Sequence, residues 1–355
     1  AEKPWAGDQL RSYGAGCNAT NFNKRSVCID LATEEGRETL LELVERCDIV
    51  IENFRPGVMD RLGLSYDVLR ERNPRIIYCA ISGFGISGPY RNPPAFDAAV
   101  PALRGRLSLM IDPARPCVPG PAIADGVTGL FACYGVLGAL YERERTGKGR
   151  RVDLNMIECL AAFTNQAFGD FFETGEVHGP VTRASIAQAY VARCLDGRMI
   201  GLHLSSPDKF WQGLLYAVEE PELAQDPRFD TYEHRVQNYH LLCEWIMGAF
   251  AKRSSDEWFE RLERHQVPYA LVHTLDEAAE DPQFKALGTF AVLERQGRPP
   301  LKVVRRPVAY DGQRDVATRV PPALGEHTSE VLRELDLGWK LDAAELPGDE
   351  PTGAR

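Results

Sequence analysis

Helical segments alternate with short apolar runs over the first half of the chain, and no other feature constrains the fold as strongly. The apolar runs are at about 48–52, 75–81 and 151–154, and the helical patterns are at about 33–46, 65–72 and 156–173. Such alternation is typical of βαβ units, which build a mostly parallel sheet covered by helices. We therefore predict an α/β fold.

The second half of the chain has a different pattern. Asp196-Gly197, a dipeptide typical of tight hairpin turns, separates two apolar runs. We predict a smaller α+β domain at 186–304 and a large Rossmann-like parallel-sheet domain formed by 1–185 and 305–355. Two domains also fit the length, because 355 residues exceed the roughly 250–300 at which a single hydrophobic core stops growing.

Charge and cysteine usage narrow the class of protein. The 41 Lys and Arg against 51 Asp and Glu give a net charge of −10, which argues against a protein that coats nucleic acid or an anionic membrane. No apolar run approaches the roughly 20 residues of a membrane span. Cysteines and histidines are scattered without CxxC or HxxxH spacing, which favours reduced thiols and disfavours a metal site. We predict a cytoplasmic enzyme that uses no metal.

A set of short motifs runs in one order over almost the whole chain. They are NKRSVCIDL at 23–31, DIVIENFRPG at 48–57, ISGFGISGPY at 81–90, RTGKGRRVDL at 145–154 and GEHT at 325–328. In this ordered set the chain resembles the family III CoA-transferases of the CaiB/BaiF type, which include formyl-CoA transferase and α-methylacyl-CoA racemase. The resemblance implies exchange of CoA between an acyl-CoA thioester and a free carboxylic acid.

The resemblance also implies a carboxylate nucleophile at Glu158. The family has an aspartate at the start of the helix after the RTGxGxxVD strand, and this chain has Glu158 there. The carboxylate would attack the thioester to give a mixed anhydride and CoA thiolate, and the thiolate would then form an enzyme–CoA thioester. A helix N-terminus keeps such a carboxylate ionised, although any helix favours an acidic residue in its first turn.

Coenzyme A, as the substrate thioester, needs cations for its phosphates and backbone groups for its amides. The residues that the resemblance places at its nucleotide end are Lys3, Ile29, Asp30, Leu31, Asn53, Phe54, Arg55 and Arg61. Asp97 would orient backbone near the thioester. Independently, the 53–57 loop follows a strand, where open α/β sheets place their ligand crevice. The alternative is that these charges are solvated surface or dimer salt bridges.

Two other functions stay open at this point. The racemase branch uses a His and an Asp, which match Phe96 and Asp125 here. Because phenylalanine carries no proton, an isomerase would need Asp125 with another partner, and Asp125 also suits the N-cap of a helix. The second alternative is a non-catalytic CoA-binding subunit.

The resemblance has two consequences for assembly. Family members form interlocked homodimers, so we expect one here. They also begin with a βαβ piece before the position of Glu2 and Lys3, which this sequence does not contain. We expect that piece to belong to a longer natural chain or to come from another polypeptide.

Overall fold

The computed structural model describes residues 1–91, 107–112, 114–117, 120–205, 208–314 and 319–336. The chain divides into two compact units. The first comprises Ala1–Val100, Ile123–Cys159 and Ala279–Arg355, and the second comprises Pro101–Ala122 and Leu160–Ala278. The domain limits predicted from the sequence, 1–185 with 305–355 and 186–304, stay a prediction.

The described helices and strands follow one another in an order that begins with helices and ends with a helix. The α-helices are α1 (Ala15–Asn21), α2 (Glu34–Arg46), α3 (Val58–Arg61), α4 (Tyr66–Arg72), α5 (Ala124–Thr146), α6 (Met156–Phe163), α7 (Asn165–Thr174), α8 (Thr182–Ala187), α9 (Lys209–Val218), α10 (Tyr232–Gln237), α11 (Tyr239–Phe250), α12 (Ser255–Arg264), α13 (Leu275–Glu280), α14 (Pro282–Ala286) and α15 (Thr328–Glu334). The strands are β1 (Ile49–Glu52), β2 (Ile77–Ser82), β3 (Arg151–Asn155), β4 (Ala189–Arg193), β5 (Met199–His203), β6 (Tyr269–Leu271), β7 (Phe290–Leu293) and β8 (Leu301–Val304).

The first unit contains the predicted parallel sheet, with β2 between β1 and β3. Glu52 pairs with Ala80 and Ser82 pairs with Asn155, so the carboxyl ends of the three strands lie at one edge. Side chains alternate between the faces of a strand. Tyr78 and Ala80 therefore pack with α2, α3 and α4, whereas Ile77 and Cys79 pack with α5. This confirms the α/β class.

Local sequence explains where these helices begin. Thr33 caps α2 by accepting the N–H of Gly36, and Ser65 caps α4 by accepting the N–H of Val68. Between α5 and β3, Gly149 lies against β2, where an added Cβ would come within 1.9 Å of the Ile76 carbonyl oxygen. The second glycine of the RTGKGRR segment is therefore needed for the chain to return to the sheet.

Helix α5 is apolar around its whole circumference. Ala132, Val136 and Ala139 are buried against the sheet, as expected of a core helix. By length and composition alone, α5 is also long and apolar enough to cross a membrane, which the sequence analysis does not anticipate. The packed face accounts for only part of this composition, because 33% of the apolar window is buried and Leu130, Tyr134, Leu137 and Tyr141 are exposed.

The second unit contains an antiparallel sheet in the order β4-β5-β6. The predicted hairpin is confirmed, and Gly197 takes the positive φ of 84° that the turn requires. Its core is built around Trp258 and Phe250, whose rings stack with centroids 4.3 Å apart. The single helix predicted at 156–173 is wrong: Thr164 separates α6 from α7. The Thr164 hydroxyl donates to the Leu160 carbonyl at 2.8 Å, a contact that bends helices.

Candidate functional site

A cleft of about 250 Å³ opens on the first unit at the carboxyl-end edge of its sheet. Its lining residues come from β1, β2, β3 and the loops that follow them: Glu52, Phe54, Arg55, Pro56, Gly57, Met59, Asp60, Tyr66, Tyr78, Ala80, Ile81, Ser82, Ile86, Arg91 and Arg151. Open parallel sheets bind ligands at this edge, because loops from several strands converge there. The cleft is therefore the first candidate for a binding site.

Glu52, the last residue of β1, lies in the wall of this cleft. Its Oε2 accepts the backbone N–H of Phe54 at 2.7 Å, and its Oε1 accepts the Tyr78 hydroxyl at 3.0 Å. Burial raises the pKa of this carboxyl above its ordinary value, while the two hydrogen bonds and Arg151 oppose that rise. Both oxygens are thus engaged by groups that fix the loop after β1.

Tyr78 forms the floor of the cleft. Its ring lies 5.8 Å from the ring of Tyr66, and the guanidinium of Arg151 lies over it at 5.7 Å. Arg151 is itself held by Asp153 at 2.8 Å. Burial, and then the charge of Glu52, raise the pKa of Tyr78, so its hydroxyl stays protonated and donates to Glu52.

Three cations stand at the cleft without an ion-pair partner among the described residues: Arg55, Arg61 and Arg91. Arg55 and Arg91 line the cleft directly. Arg61 borders it, because a Cβ added at Gly57 would lie 3.4 Å from its Nη1. Gly57 has a positive φ of 79° and lets the loop turn into α3. Free guanidinium groups at a strand edge suit a phosphate-bearing ligand.

The other predicted CoA residues form a second group on the same unit. Glu2 and Cys28 make a parallel bridge, and the Ile29 N–H donates to the Glu2 carbonyl at 2.9 Å. Lys3 therefore lies beside Ile29 and Asp30. Leu31 packs against the apolar cluster that includes Met59, a residue of the cleft. Asn53 lies between two cleft residues, Glu52 and Phe54, but does not itself line the cleft.

Glu158 lies in the first turn of α6, directly after β3. The Asn155 carboxamide oxygen accepts the Glu158 N–H at 2.9 Å, and its amide nitrogen donates back to the Glu158 carboxylate. The contact to the Glu158 N–H is that of a helix N-cap side chain, and the return contact comes from the Asn155 side-chain amide. Asn155 pairs with Ser82, which lines the cleft. The exposed Glu158 carboxylate thus stands at the same strand edge as the cleft.

Asp125 lies in the first turn of α5, but it is not the N-cap suggested by the sequence. The N-cap residue is Ile123. Three residues further along α5, Thr128 hydrogen-bonds Cys159, the neighbour of Glu158. The helix starts that carry Asp125 and Glu158 are therefore adjacent. Asp97 and Phe96 lie outside the described residues.

Sequence reasoning missed most residues of the cleft, among them Glu52, Tyr78, Arg91 and Arg151. Arg91 directly follows the ISGFGISGPY motif, and Glu52 and Arg151 lie inside other motifs. A strand register that pairs Glu52 with Ala80 and Tyr78 with Arg151 would have been the signal, since it brings these side chains together.

Comparisons with known proteins identify the family. The model of the family described as CoA-transferase family III matches residues 1–328. A formyl-CoA:oxalate CoA-transferase of Streptomyces avermitilis is 32% identical over 342 residues, covering 90% of this chain and 82% of that protein. The succinyl-CoA–L-malate CoA-transferase alpha subunit of Chloroflexus aurantiacus is 32% identical over 351 residues, covering 94% and 81%.

A solved structure is similar as well. The crystal structure of a CAIB/BAIF family protein from Brucella suis superposes with a TM-score of 0.82 at 31% identity, covering 94% of this chain and 90% of that one.

Proposed function

The chain belongs to CoA-transferase family III, and from that premise we propose how its residues carry out the reaction. It is an enzyme that transfers CoA from an acyl-CoA thioester to a free carboxylic acid. We propose that the phosphate-bearing end of CoA occupies the cleft and that Glu158 is the carboxylate that exchanges the thioester.

The cleft suits the nucleotide end of CoA on three grounds. Arg55 and Arg91 present unpaired positive charge for the phosphates. Phe54, with 45% of its surface exposed, offers an aromatic face for the base. The volume of about 250 Å³ is below the roughly 300–1,000 Å³ of sites that enclose a whole drug-sized ligand. The cleft would therefore hold one end of CoA and leave the pantetheine arm outside it.

Glu158 is placed for the chemical steps. Its carboxylate would attack the thioester carbonyl, form a C–O bond and release CoA thiolate, leaving a mixed anhydride. The thiolate would then attack the Glu158 carbonyl of that anhydride, which releases the donor acid and forms an enzyme–CoA thioester. An acceptor carboxylate repeats the two steps in reverse. The Asn155 amide and the start of α6 favour the anionic carboxylate.

The observation that carries this proposal is the shared strand edge. β3 ends at Asn155, beside Ser82 in the cleft, and α6 presents Glu158 three residues later. A ligand anchored by Arg55 and Arg91 would approach this edge. We propose on this ground that Glu158 takes the place of the family aspartate. Its side chain is longer by one methylene, and catalysis is sensitive to displacements of about 1 Å, so the test must be made at Glu158 itself.

Trapping of the covalent intermediate tests this function. The enzyme is incubated with acetyl-CoA or succinyl-CoA plus hydroxylamine or borohydride, and its peptides are mapped by mass spectrometry. Modification at Glu158 that is absent in Glu158→Gln is the expected result. Binding of the thioester with no modification under turnover conditions would contradict it, and solvent deuterium at the α-carbon would point to an isomerase using Asp125.

We propose further that the enzyme is an interlocked homodimer of the cytoplasm, with the domain layout predicted from the sequence. One stripe of α5 is apolar and exposed: Leu130, Tyr134, Leu137 and Tyr141. Their spacing puts them on one side of the helix, and exposed apolar stripes of this kind mark interaction surfaces. The free thiols of all nine cysteines fit a reducing compartment. Light scattering at several concentrations tests the dimer.

A further inference from the structure

We infer that Glu52 is a positioning residue for CoA: its carboxylate ties the loop 53–57 to the floor of the cleft and so holds Phe54 and Arg55 in the shape that receives the ligand. This inference rests on the proposed placement of CoA in the cleft. It concerns a residue that would not react itself.

The two oxygens of Glu52 join two different parts of the first unit. One accepts from the backbone of Phe54, in the loop, at 2.7 Å. The other accepts from Tyr78, in the middle of the sheet, at 3.0 Å. Because Tyr78 is packed against Tyr66 and lies under Arg151, the loop is fastened to a rigid surface.

A glutamate at this place is not explained by stability alone. Among the described residues Glu52 forms no ion pair, and Arg151 pairs with Asp153 instead. A half-buried carboxylate without a cation costs free energy, which is consistent with the raised pKa of this group. A group that carries such a cost is expected where geometry is needed for a ligand.

The two contacts are strongest with an ionised carboxylate. Two donors, one N–H and one O–H, converge on it, so both oxygens must accept. A neutral carboxamide or a protonated carboxyl has only one good acceptor. Glu52→Gln therefore keeps the shape of the side chain but removes the negative charge that strengthens both contacts, and its amide can meet the Tyr78 oxygen only by donating to it. Tyr78→Phe removes the hydroxyl donor altogether.

Kinetics of the full-length enzyme with succinyl-CoA and a saturating acceptor acid tests the inference. We expect Glu52→Gln to raise KM for succinyl-CoA about tenfold, because two charge-assisted hydrogen bonds become neutral ones, with kcat within about twofold of wild type. Glu71→Gln, an exposed glutamate of α4, is the matched control and should leave both constants unchanged. Tyr78→Phe should also raise KM, and the double variant should add less than the product of the two effects.

The pH profile separates positioning from a general loss of structure. As pH falls through the raised pKa of Glu52, wild type loses the same negative charge that the glutamine lacks. The ratio of the two KM values should therefore fall toward one at low pH, and titration of the substrate phosphates cancels in that ratio. Other charged or titratable groups around Glu52, present in both proteins, are Arg151 and Asp153 on β3, Asp60 on α3, Tyr66 on α4, and Arg55 and Arg91.

Three outcomes decide between the inference and the function beneath it. A wild-type KM in Glu52→Gln, or a ratio that stays constant with pH, overturns the positioning role if Arg55→Ala still raises KM. If neither Arg55→Ala nor Glu52→Gln changes KM, the placement of CoA in the cleft fails as well. If Glu52→Gln does not fold, Tyr78→Phe alone decides by the same KM criterion.

Discussion

Arg11 and the three arginines at the cleft, all in the first unit, differ in whether a carboxylate of the protein neutralises them. Arg11 is saturated: it donates to both carboxylate oxygens of Glu2, at 2.6 and 2.7 Å, and to the Pro322 carbonyl at 3.0 Å. Arg55, Arg61 and Arg91 form no ion pair among the described residues, although they stand close to one another. Glu2 neutralises the charge of Arg11, whereas the charges of the three cleft arginines are available to a ligand.

Arg11 belongs to a structural joint, which is formed by Glu2, Arg11 and Ser26. The Ser26 hydroxyl donates to Glu2 at 2.6 Å and accepts the Gly325 N–H at 2.9 Å. The hydrogen bond from Arg11, more than any other contact, lowers the pKa of Glu2 to about 2. The joint thus ties the first residues to the segment before α15.

The difference separates charges that stabilise the fold from charges that are available to bind an anion. Paired, partly buried charges such as those of the joint contribute to stability, whereas several like charges left unpaired at a strand edge are unfavourable until an anion arrives. Variants of the cleft region should therefore change kinetics with little effect on stability. Variants of the joint should do the reverse.

The largest expected effect is a loss of kcat on substitution of Glu158, at the carboxyl-end edge of the parallel sheet. Glu158→Gln should lower kcat by about 10³-fold or more, as for the loss of a covalent nucleophile, with a melting temperature within about 2 °C of wild type, since the glutamine oxygen can still accept from the Asn155 amide. Steady-state assays and circular dichroism measure both. A kcat close to that of wild type would remove Glu158 from the mechanism.

The joint should show the opposite pattern. Glu2→Gln should lower the free energy of unfolding by about 2 kcal/mol, because it weakens charge-assisted hydrogen bonds to a partly buried guanidinium. Urea denaturation measures this, and KM and kcat should stay at their wild-type values at temperatures where the variant is folded. A stability equal to that of wild type would break the comparison.

The dependence of the free energy of unfolding on acid pH should show the same contrast between the joint and the cleft. A carboxyl whose pKa is depressed in the folded state stabilises the protein above its unfolded-state pKa, and this stability is lost as pH falls through the folded value. For Glu2 the window runs from its ordinary value of 4.5 down to about 2. Wild type should lose more stability across this window than Glu2→Gln. Parallel curves from urea denaturation at several pH values would count against the joint.

The smallest effect is expected from an exposed ion pair of the same unit. Arg25 lies 2.8 Å from both Glu330 and Glu334, but all three side chains are largely in water, where such pairs add little. Arg25→Ala should shift the melting temperature by no more than about 2 °C. A larger shift in a thermal scan would show that exposure does not separate the joint from other pairs.

Much of the fold follows from local sequence. Helix α2 begins after Thr33 and α4 after Ser65, at the starts of the predicted helical patterns 33–46 and 65–72. The three strands of the first unit and the Asp196-Gly197 hairpin lie where apolar runs predict them. The break between α6 and α7 was missed because the Thr164 contact with Leu160 competes with an otherwise continuous helical pattern.

The site was only partly predictable. Phe54 and Arg55 follow from a motif after a strand, and the structure places both in the cleft. The contact of Glu52 with Tyr78 depends on the pairing of β1 with β2, which no local pattern reveals. The sequence predicts Arg151 only as a strand residue, because its position over Tyr78 likewise depends on strand register.

Comparison of CoA with pantetheine, which lacks the phosphates and the nucleotide, tests the central claim that the unpaired arginines hold the phosphate end of CoA. Calorimetric titration of wild type, Arg55→Ala/Arg91→Ala and the exposed control Arg333→Ala gives both affinities for each protein. The double variant should bind CoA about 100-fold more weakly, from two lost charge-assisted contacts of about tenfold each, while its pantetheine affinity and the control stay unchanged. Wild-type affinity for CoA in the double variant, or an equal loss for pantetheine, would contradict the claim.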